Sequence, residues 1–208
     1  SFGPTLVPSA AERLRIGRKG SQSATRYVGE LDEIRVYNRA FTETEIAEFA
    51  KVSERSLIGH YKMANIVAYK DGLEVHRLTD SSGNANHQDE PFDGNVHWIM
   101  SNPGIDGQGA SFGGSTLLSA SDNASMTLAG EVSVAAWVYV DERLGGSIVR
   151  KELEYILGVD SGQFAAVVGY CSVAADLPET TGWHHMAFSY SESAAQLVLY
   201  LDGMLADA

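Results

Sequence analysis

Short runs in which apolar residues alternate with polar ones, or stand several together, recur along the chain between clusters of turn-forming residues. They are "RLRIG" (13–17), "ELDEIRVY" (30–37), "LIGHYKM" (57–63), "EVSVAAWVYV" (131–140), "GSIVRK" (146–151), "YILGVD" (155–160), "QFAAVVGY" (163–170), "WHHMAFSYS" (183–191) and "AQLVLYLDG" (195–203). Each is short and rich in β-branched and aromatic residues, which predicts strands. Asp160-Ser161-Gly162 and Asp202-Gly203 stand between such runs and carry hairpin chemistry, so the strands should meander antiparallel. That many strands cannot bury their faces in one flat sheet. The prediction is an all-β fold, a sandwich of two antiparallel sheets.

One stretch breaks the pattern. At 42–50, Thr42 and Glu45 form a capping box, and Phe41, Ile46 and Phe49 can share a side, which predicts a short helix lying on the sandwich. "AKVSERS" reads as a connector, taken as 51–56. The stretch "QDEPFDGNVHWIMSNPGIDGQG" (88–109) is rich in turn residues and reads as a long loop of the kind that carries binding residues.

Composition narrows the classes. With 208 residues, 44% hydrophobic and 20% charged, the chain can bury a full core. The 21 glycines and nine tyrosines suit many turns and few helices. A formal net charge of -12 repels polyphosphates and anionic lipid, so neither nucleic acid nor membrane insertion is expected. No leader-like segment stands in the chain, and no apolar run approaches the ~18 residues that span a bilayer. Cys171 is the single cysteine and sits where a small apolar group packs in a strand.

"LIGHYKM", "DSSGNANH" (80–87), "GQGASFGG" (107–114), "EVSVAAWVYV", "GWHHMAFSYS", "LVLYLDGMLA" and "GELDEIRVYNRAFTETEI" together resemble the laminin-G-like, concanavalin A-like jelly-roll domains of secreted bacterial proteins. The order departs from that resemblance, for the family's usual domain begins with the equivalent of Leu57 and ends with the equivalent of Ile46. Two readings stand. Residues 1–50 supply the last strands of a permuted single sandwich with 57–208, or the chain holds parts of two consecutive tandem domains. In the second, 1–50 completes a neighbouring copy, which would make copies of the chain its partners.

Alternation along "ELDEIRVY" places Asp32 on one face with Ile34 and Val36, where a carboxylate needs a partner. The resemblance implies a structural calcium ion near the "DSSGNANH" turn, with Asp80, Asn84 and Asp32 as ligands. The same turn can instead satisfy its own backbone through Asp80 and Asn84. His87 suits a hydrogen-bonding role better than a calcium ligand. Some glycoside hydrolases of this fold carry E-x-D-x-x-E on one strand. Here Glu30 and Asp32 are followed by Arg35 where the second glutamate would stand, so the paired carboxylates of retaining hydrolysis are not assembled and no enzyme activity is expected. His184 and His185 are adjacent on a strand and cannot chelate one metal together.

Sugars stack on exposed rings. His97 and Trp98 in the long loop, and Tyr155 and Tyr170 at strand ends, are the candidate ligand-binding residues, whereas Trp137 and Trp183 lie in dense apolar strands and are expected in the core. The resemblance implies a non-catalytic, calcium-stabilised carbohydrate-binding or adhesion module of a secreted or cell-surface bacterial protein, with a glycan or cell-surface polysaccharide as partner. The alternatives are a structural repeat of an extracellular fibre, completed by neighbouring copies, and an ancillary domain of a secreted glycoside hydrolase.

Overall fold

The computed structural model describes residues 14–17, 27–47, 56–68, 75–89, 96–105, 107–113, 118–122, 124–141, 145–151 and 154–208. The strands are β1 (Leu14–Ile16), β2 (Val28–Tyr37), β3 (Leu57–Ala68), β4 (Val75–Asp80), β5 (Gln88–Asp89), β6 (Val96–Gly104), β7 (Gly107–Gly113) and β8 (Leu118–Ala120). They continue as β9 (Glu131–Val140), β10 (Gly146–Lys151), β11 (Tyr155–Asp160), β12 (Gln163–Val168), β13 (Cys171–Asp176), β14 (Gly182–Ser191), β15 (Gln196–Leu201) and β16 (Met204–Asp207), with one short helix, α1 (Glu43–Ala47). No helix among the described residues is long and apolar enough to cross a membrane.

Neighbouring strands hydrogen-bond in the order β13-β12-β11-β10-β1-β8-β5-β4-β3-β2-β9-β14-β15-β16, and β6 and β7 are added beside β2. The ladder folds back on itself, so that β12 and β13 face β14 and β15 across the interior and two antiparallel sheets result. Between them lies one apolar core. One sheet contributes Leu31, Ile34, Val36, Val134, Val138, Met186, Phe188 and Leu199, and the other Ile16, Leu118, Leu157, Phe164 and Val168. At ~25 cal/mol per Å² of apolar surface removed from water, this layer is the main force joining the sheets.

β2 is central. Its first half hydrogen-bonds β7 and its second half β3, while β9 runs along its other side. Segment 27–37 therefore supplies a strand that both β3 and β9 need for their own backbone hydrogen bonds. The hairpins turn as their residues dictate: Ser161 and Gly162, then Asp202 and Gly203, all take positive φ, as two-residue turns matched to strand twist require.

Three expectations need correction. The described residues of 88–109 are mostly strand: β6 and the start of β7 pair within that stretch, Ile99 opposite Gly109 and Gly104 opposite Gly107. The glycines and prolines there punctuate strands that a neighbouring backbone holds. The helix is shorter at its first end than the sequence predicts, beginning at Glu43, and positions 48–50 and 51–55 lie outside the described residues. Its capping box is formed as expected, with Thr42 Oγ1 accepting from Glu45 N at 3.3 Å and Glu45 Oε2 accepting from Thr42 N at 3.0 Å. The third correction concerns the faces of β2. A bulge lies between Asp32 and Arg35, and Glu33 takes φ 47. That extra residue resets the alternation, so Leu31, Ile34 and Val36 enter the core while Asp32 turns to the outer face.

Candidate functional site

Because paired residues on adjacent strands point to one side, the register reads out the outer face row by row. Glu30 stands opposite Tyr139, which stands opposite Trp183. Asp32 stands opposite Trp137, and that opposite His185. Beyond the bulge the next row runs His60, Arg35, Ala135, Ala187 and Tyr200. The last carries Tyr37, Ser133, Ser189 and Val198.

The lower two rows are largely covered, with a cavity of about 350 Å³ beside α1 lined by Phe41, Ser189, Val198, Tyr200 and Leu205. Tyr37, Phe41, Ile46, Leu57, Ala135, Ala187, Val198 and Tyr200 form a second apolar cluster under α1. The Phe41 N–H donates to Ser189 Oγ at 2.7 Å and to Ser133 Oγ at 3.1 Å, which ties the helix entry to the sheet. Arg39 lies 4.1 Å over the Phe41 ring and reaches Glu45 at 2.7 Å.

The upper two rows are of different composition. Tyr139 and Trp183 meet edge to face at 5.6 Å, and Trp137 tilts against His185 at 5.2 Å. Trp137, Tyr139 and Trp183 are each half-buried and belong to neither apolar cluster, so the expectation that Trp137 and Trp183 are core residues is corrected. β9, which carries Trp137 and Tyr139, is apolar on both faces, which hides its outward positions. The Trp183 indole lies over the backbone of Gly109, where an added Cβ would stand 3.1 Å from the ring.

Three carboxylates border these rings: Glu30, Asp32 and Glu33 are 6%, 0% and 7% exposed. Asp32 accepts from the Glu33 N–H and from the Ile105 N–H, both at 2.8 Å. Glu33 Oε2 accepts from Arg35 Nη2 at 2.9 Å, and His60 Nε2 stands 2.8 Å from the same oxygen. Burial alone would raise the Glu33 pKa, but the His60 and Arg35 contacts outweigh it and hold the carboxyl below its ordinary value. Burial pushes His185 down to about 4; Asp202 opposes that shift and Arg35 adds to it. An acid catalyst for glycoside cleavage needs a raised carboxyl pKa, and Glu33 is driven the other way.

The calcium set is not brought together. Asp80 is in the row of Tyr61 and Ile34, both core residues, whereas Asp32 is on the outer face, with β3 between their strands. Two strand spacings alone separate them by ~10 Å. Asp80 Oδ1 accepts from His60 N and Ser82 N, both at 2.9 Å, and Oδ2 from Ser82 Oγ at 2.7 Å and Asn86 N at 3.0 Å. Asn84 Nδ2 donates to the Leu57 carbonyl at 2.8 Å. Both oxygens of each carboxylate thus face donors, an arrangement that suits a self-satisfied turn and does not fit a calcium cage. Among the described residues no three His, Cys, Asp or Glu side chains converge as metal ligands. His87 Nδ1 accepts from the Asp80 N–H at 3.1 Å.

Tyr155, expected at a ligand, is 2% exposed and packs 6.1 Å from Phe188 in the core. Burial, followed by the Glu154 and Tyr61 charges, raises its phenol pKa well above the ordinary value, and its ring is closed to a ligand. Tyr170 is fully exposed between β12 and β13, in the opposite sheet from the rings above. His97 is opposite Ser111, itself opposite Glu30, so its backbone extends the uppermost row; the side chains of His97 and Trp98 lie outside the described residues.

The family described as the concanavalin A-like lectin/glucanases superfamily matches residues 112–208, a little under half of the chain. No curated protein and no solved structure matches the chain. The matched stretch contains β9, β14 and β15, three neighbouring strands of the sheet that carries the rings. Residues 112–208 are therefore similar to the concanavalin A-like lectin/glucanase superfamily, and the chain folds as a two-sheet antiparallel β-sandwich consistent with that likeness.

Proposed function

We propose that the chain is a non-catalytic carbohydrate-binding or adhesion module that acts outside the cell. The observation that carries this reading is the ledge of half-buried rings, Trp137, Tyr139 and Trp183, on one outer sheet face with polar groups at its border. Rings set side by side offer the apolar faces of successive sugar residues a stacking surface. The non-catalytic part rests on Arg35 and on the lowered Glu33 carboxyl. Affinity electrophoresis through gels cast with a panel of polysaccharides tests it. The native chain should be retarded by at least one, and Trp137→Ala and Tyr139→Ala, each with an unchanged folded spectrum, should run as in an empty gel. Equal retardation of the variants, or none of the native chain, would overturn it.

A second reading, a repeat unit that joins neighbouring copies, is favoured by Met204 and Leu205, 70% and 55% exposed on the terminal strand β16. Light scattering across a concentration series tests it, since Leu205→Lys should abolish any self-association through this edge.

A further inference from the structure

We infer that Asp32 is a positioning residue of the ring ledge, holding the tip of the β6–β7 hairpin so that its Gly109 backbone seats the Trp183 indole; the inference rests on the carbohydrate reading. Asp32 turns to the outer face and yet is 0% exposed, so that face must be covered above it. The hairpin tip meets it there. Asp32 Oδ2 accepts from the Ile105 N–H at 2.8 Å, across 73 residues of sequence, while Oδ1 accepts from the Glu33 N–H, also at 2.8 Å. One carboxylate thus holds both the left-handed bulge residue, Glu33 at φ 47, and the end of the hairpin.

The bond stands where the strand ladder stops. β7 pairs with β2 from Val28 opposite Gly113 to Leu31 opposite Ala110, and the register between the two strands ends there. From Ala110 back to Gly107, β7 runs on to the turn that contains Ile105, with Gly107 opposite Gly104 on β6. This stretch supports the ledge. An added Cβ on Gly109 would stand 3.1 and 3.2 Å from two atoms of the Trp183 indole and 3.5 Å from the Leu31 carbonyl oxygen, so ring, hairpin and β2 backbone meet at one point. The Trp183 ring in turn meets Tyr139 edge to face at 5.6 Å. A backbone N–H donated to a buried carboxylate makes a short, strong bond, and breaking it leaves charge stranded from water. Asp32 therefore acts on the sugar surface through Ile105 and Gly109, without touching a ligand. Its effect is to hold Trp183 in one place beforehand, which spares the cost of ordering the ring on binding.

Two substitutions break the bond from opposite ends. In Asp32→Asn the single acceptor oxygen can serve the Glu33 N–H, which leaves the amide NH2 against the Ile105 N–H, donor to donor. Ile105→Pro removes the donor and leaves Asp32 in place, so it remains decisive even where Asp32→Asn loses the fold; Ile105→Ala, which keeps the N–H, is its control. In ¹⁵N-labelled samples without ligand, the Trp183 indole N–H resonance should move in Asp32→Asn and Ile105→Pro and stay in Ile105→Ala. In gels cast with the polysaccharide panel, hydroxyethylcellulose, agarose and methyl-esterified pectin among them, the first two variants should bind about two- to tenfold more weakly than the native chain. Phe41→Leu, destabilised through the other half of the sheet, should keep the native affinity, which separates positioning from loss of stability. An unmoved indole or a native affinity in Ile105→Pro, or an equal loss in Ile105→Ala, would overturn the inference and leave the carbohydrate reading standing. Retardation of the native chain by no member of the panel would bring down both.

Discussion

The rows built on Tyr37, Ser133, Ser189 and Val198, and on Arg35, Ala135, Ala187 and Tyr200, share strands with the rows of Glu30, Tyr139 and Trp183 and of Asp32, Trp137 and His185. The first pair packs under Phe41 and Ile46 beside a cavity of about 350 Å³, while the second keeps its rings half-exposed. The difference lies in side-chain size and polarity, and in the β2 bulge that divides the two pairs. Ala135 and Ala187 leave room for the Phe41 ring to come close, and two serine hydroxyls accept the N–H that the helix entry presents. Above them, bulky rings and carboxylates replace alanines and serines. Trp137, Tyr139 and Trp183 stay half-exposed there, an apolar surface that a ligand can cover.

If the lower half is structural and the upper half a binding surface, the two must respond differently to truncation. Phe41→Ala should cost ~3–5 kcal/mol, because a buried ring and its packing against Tyr37 are lost, and should lower the melting temperature by about 10 °C while sparing binding. Trp137→Ala should cost less than half as much stability and remove binding. Thermal melts beside affinity electrophoresis check this, and equal melting losses for the two variants would erase the distinction.

Acid should act through the upper half. His185 has a folded pKa of about 4 against an ordinary 6.5, so the unfolded chain binds its proton first. Stability is therefore full above about pH 6.5 and falls as pH drops toward 4, by an order of 2–3 kcal/mol. Glu33, whose carboxyl is held low, adds a further loss below its ordinary 4.5. Urea unfolding at pH 7, 5.5 and 4.5 measures the slope. His185→Gln should flatten it between 7 and 5.5, whatever its absolute stability, and an unchanged slope would show that another group carries the acid response.

The smallest effect sharpens the ledge itself. Gly109→Ala should displace the Trp183 indole, since the new Cβ would stand 3.1 and 3.2 Å from its ring atoms. Affinity should drop a few-fold at a stability cost under about 1 kcal/mol, and the substitution should have no further effect in a Trp183→Phe background, as a double-mutant cycle would reveal.

The sandwich was legible in the sequence because β9, β14 and β15 carry long β-rich runs and the turns at Ser161-Gly162 and Asp202-Gly203 use residues that tolerate positive φ. β6 and β7 were not, because "SNPG" and "GQGASFG" lack a strand's composition and are held by pairing with each other and with β2. The candidate site was legible in part. The sequence marked Glu30, Asp32 and Arg35 as a run of chemical interest, but the bulge at Glu33 depends on a left-handed residue that no polar pattern announces. It sent Asp32 outward and separated it from Asp80. Trp137 was hidden because "VSVAAWVYV" is apolar on both faces, and for Trp137 and for Trp183 on β14 only the register with His185 and Tyr139 shows which side they take.

Where a bound glycan touches the chain separates the two halves most directly. In a ¹⁵N-labelled sample titrated with an uncharged oligosaccharide from whichever polysaccharide retards the native chain, the indole N–H resonances of Trp137 and Trp183 and the amides of β9 around Tyr139 should shift together, while Phe41, Ile46 and the Tyr170 turn stay in place. Shifts centred on Tyr170 or on the α1 cluster, with the two indoles unmoved, would contradict it.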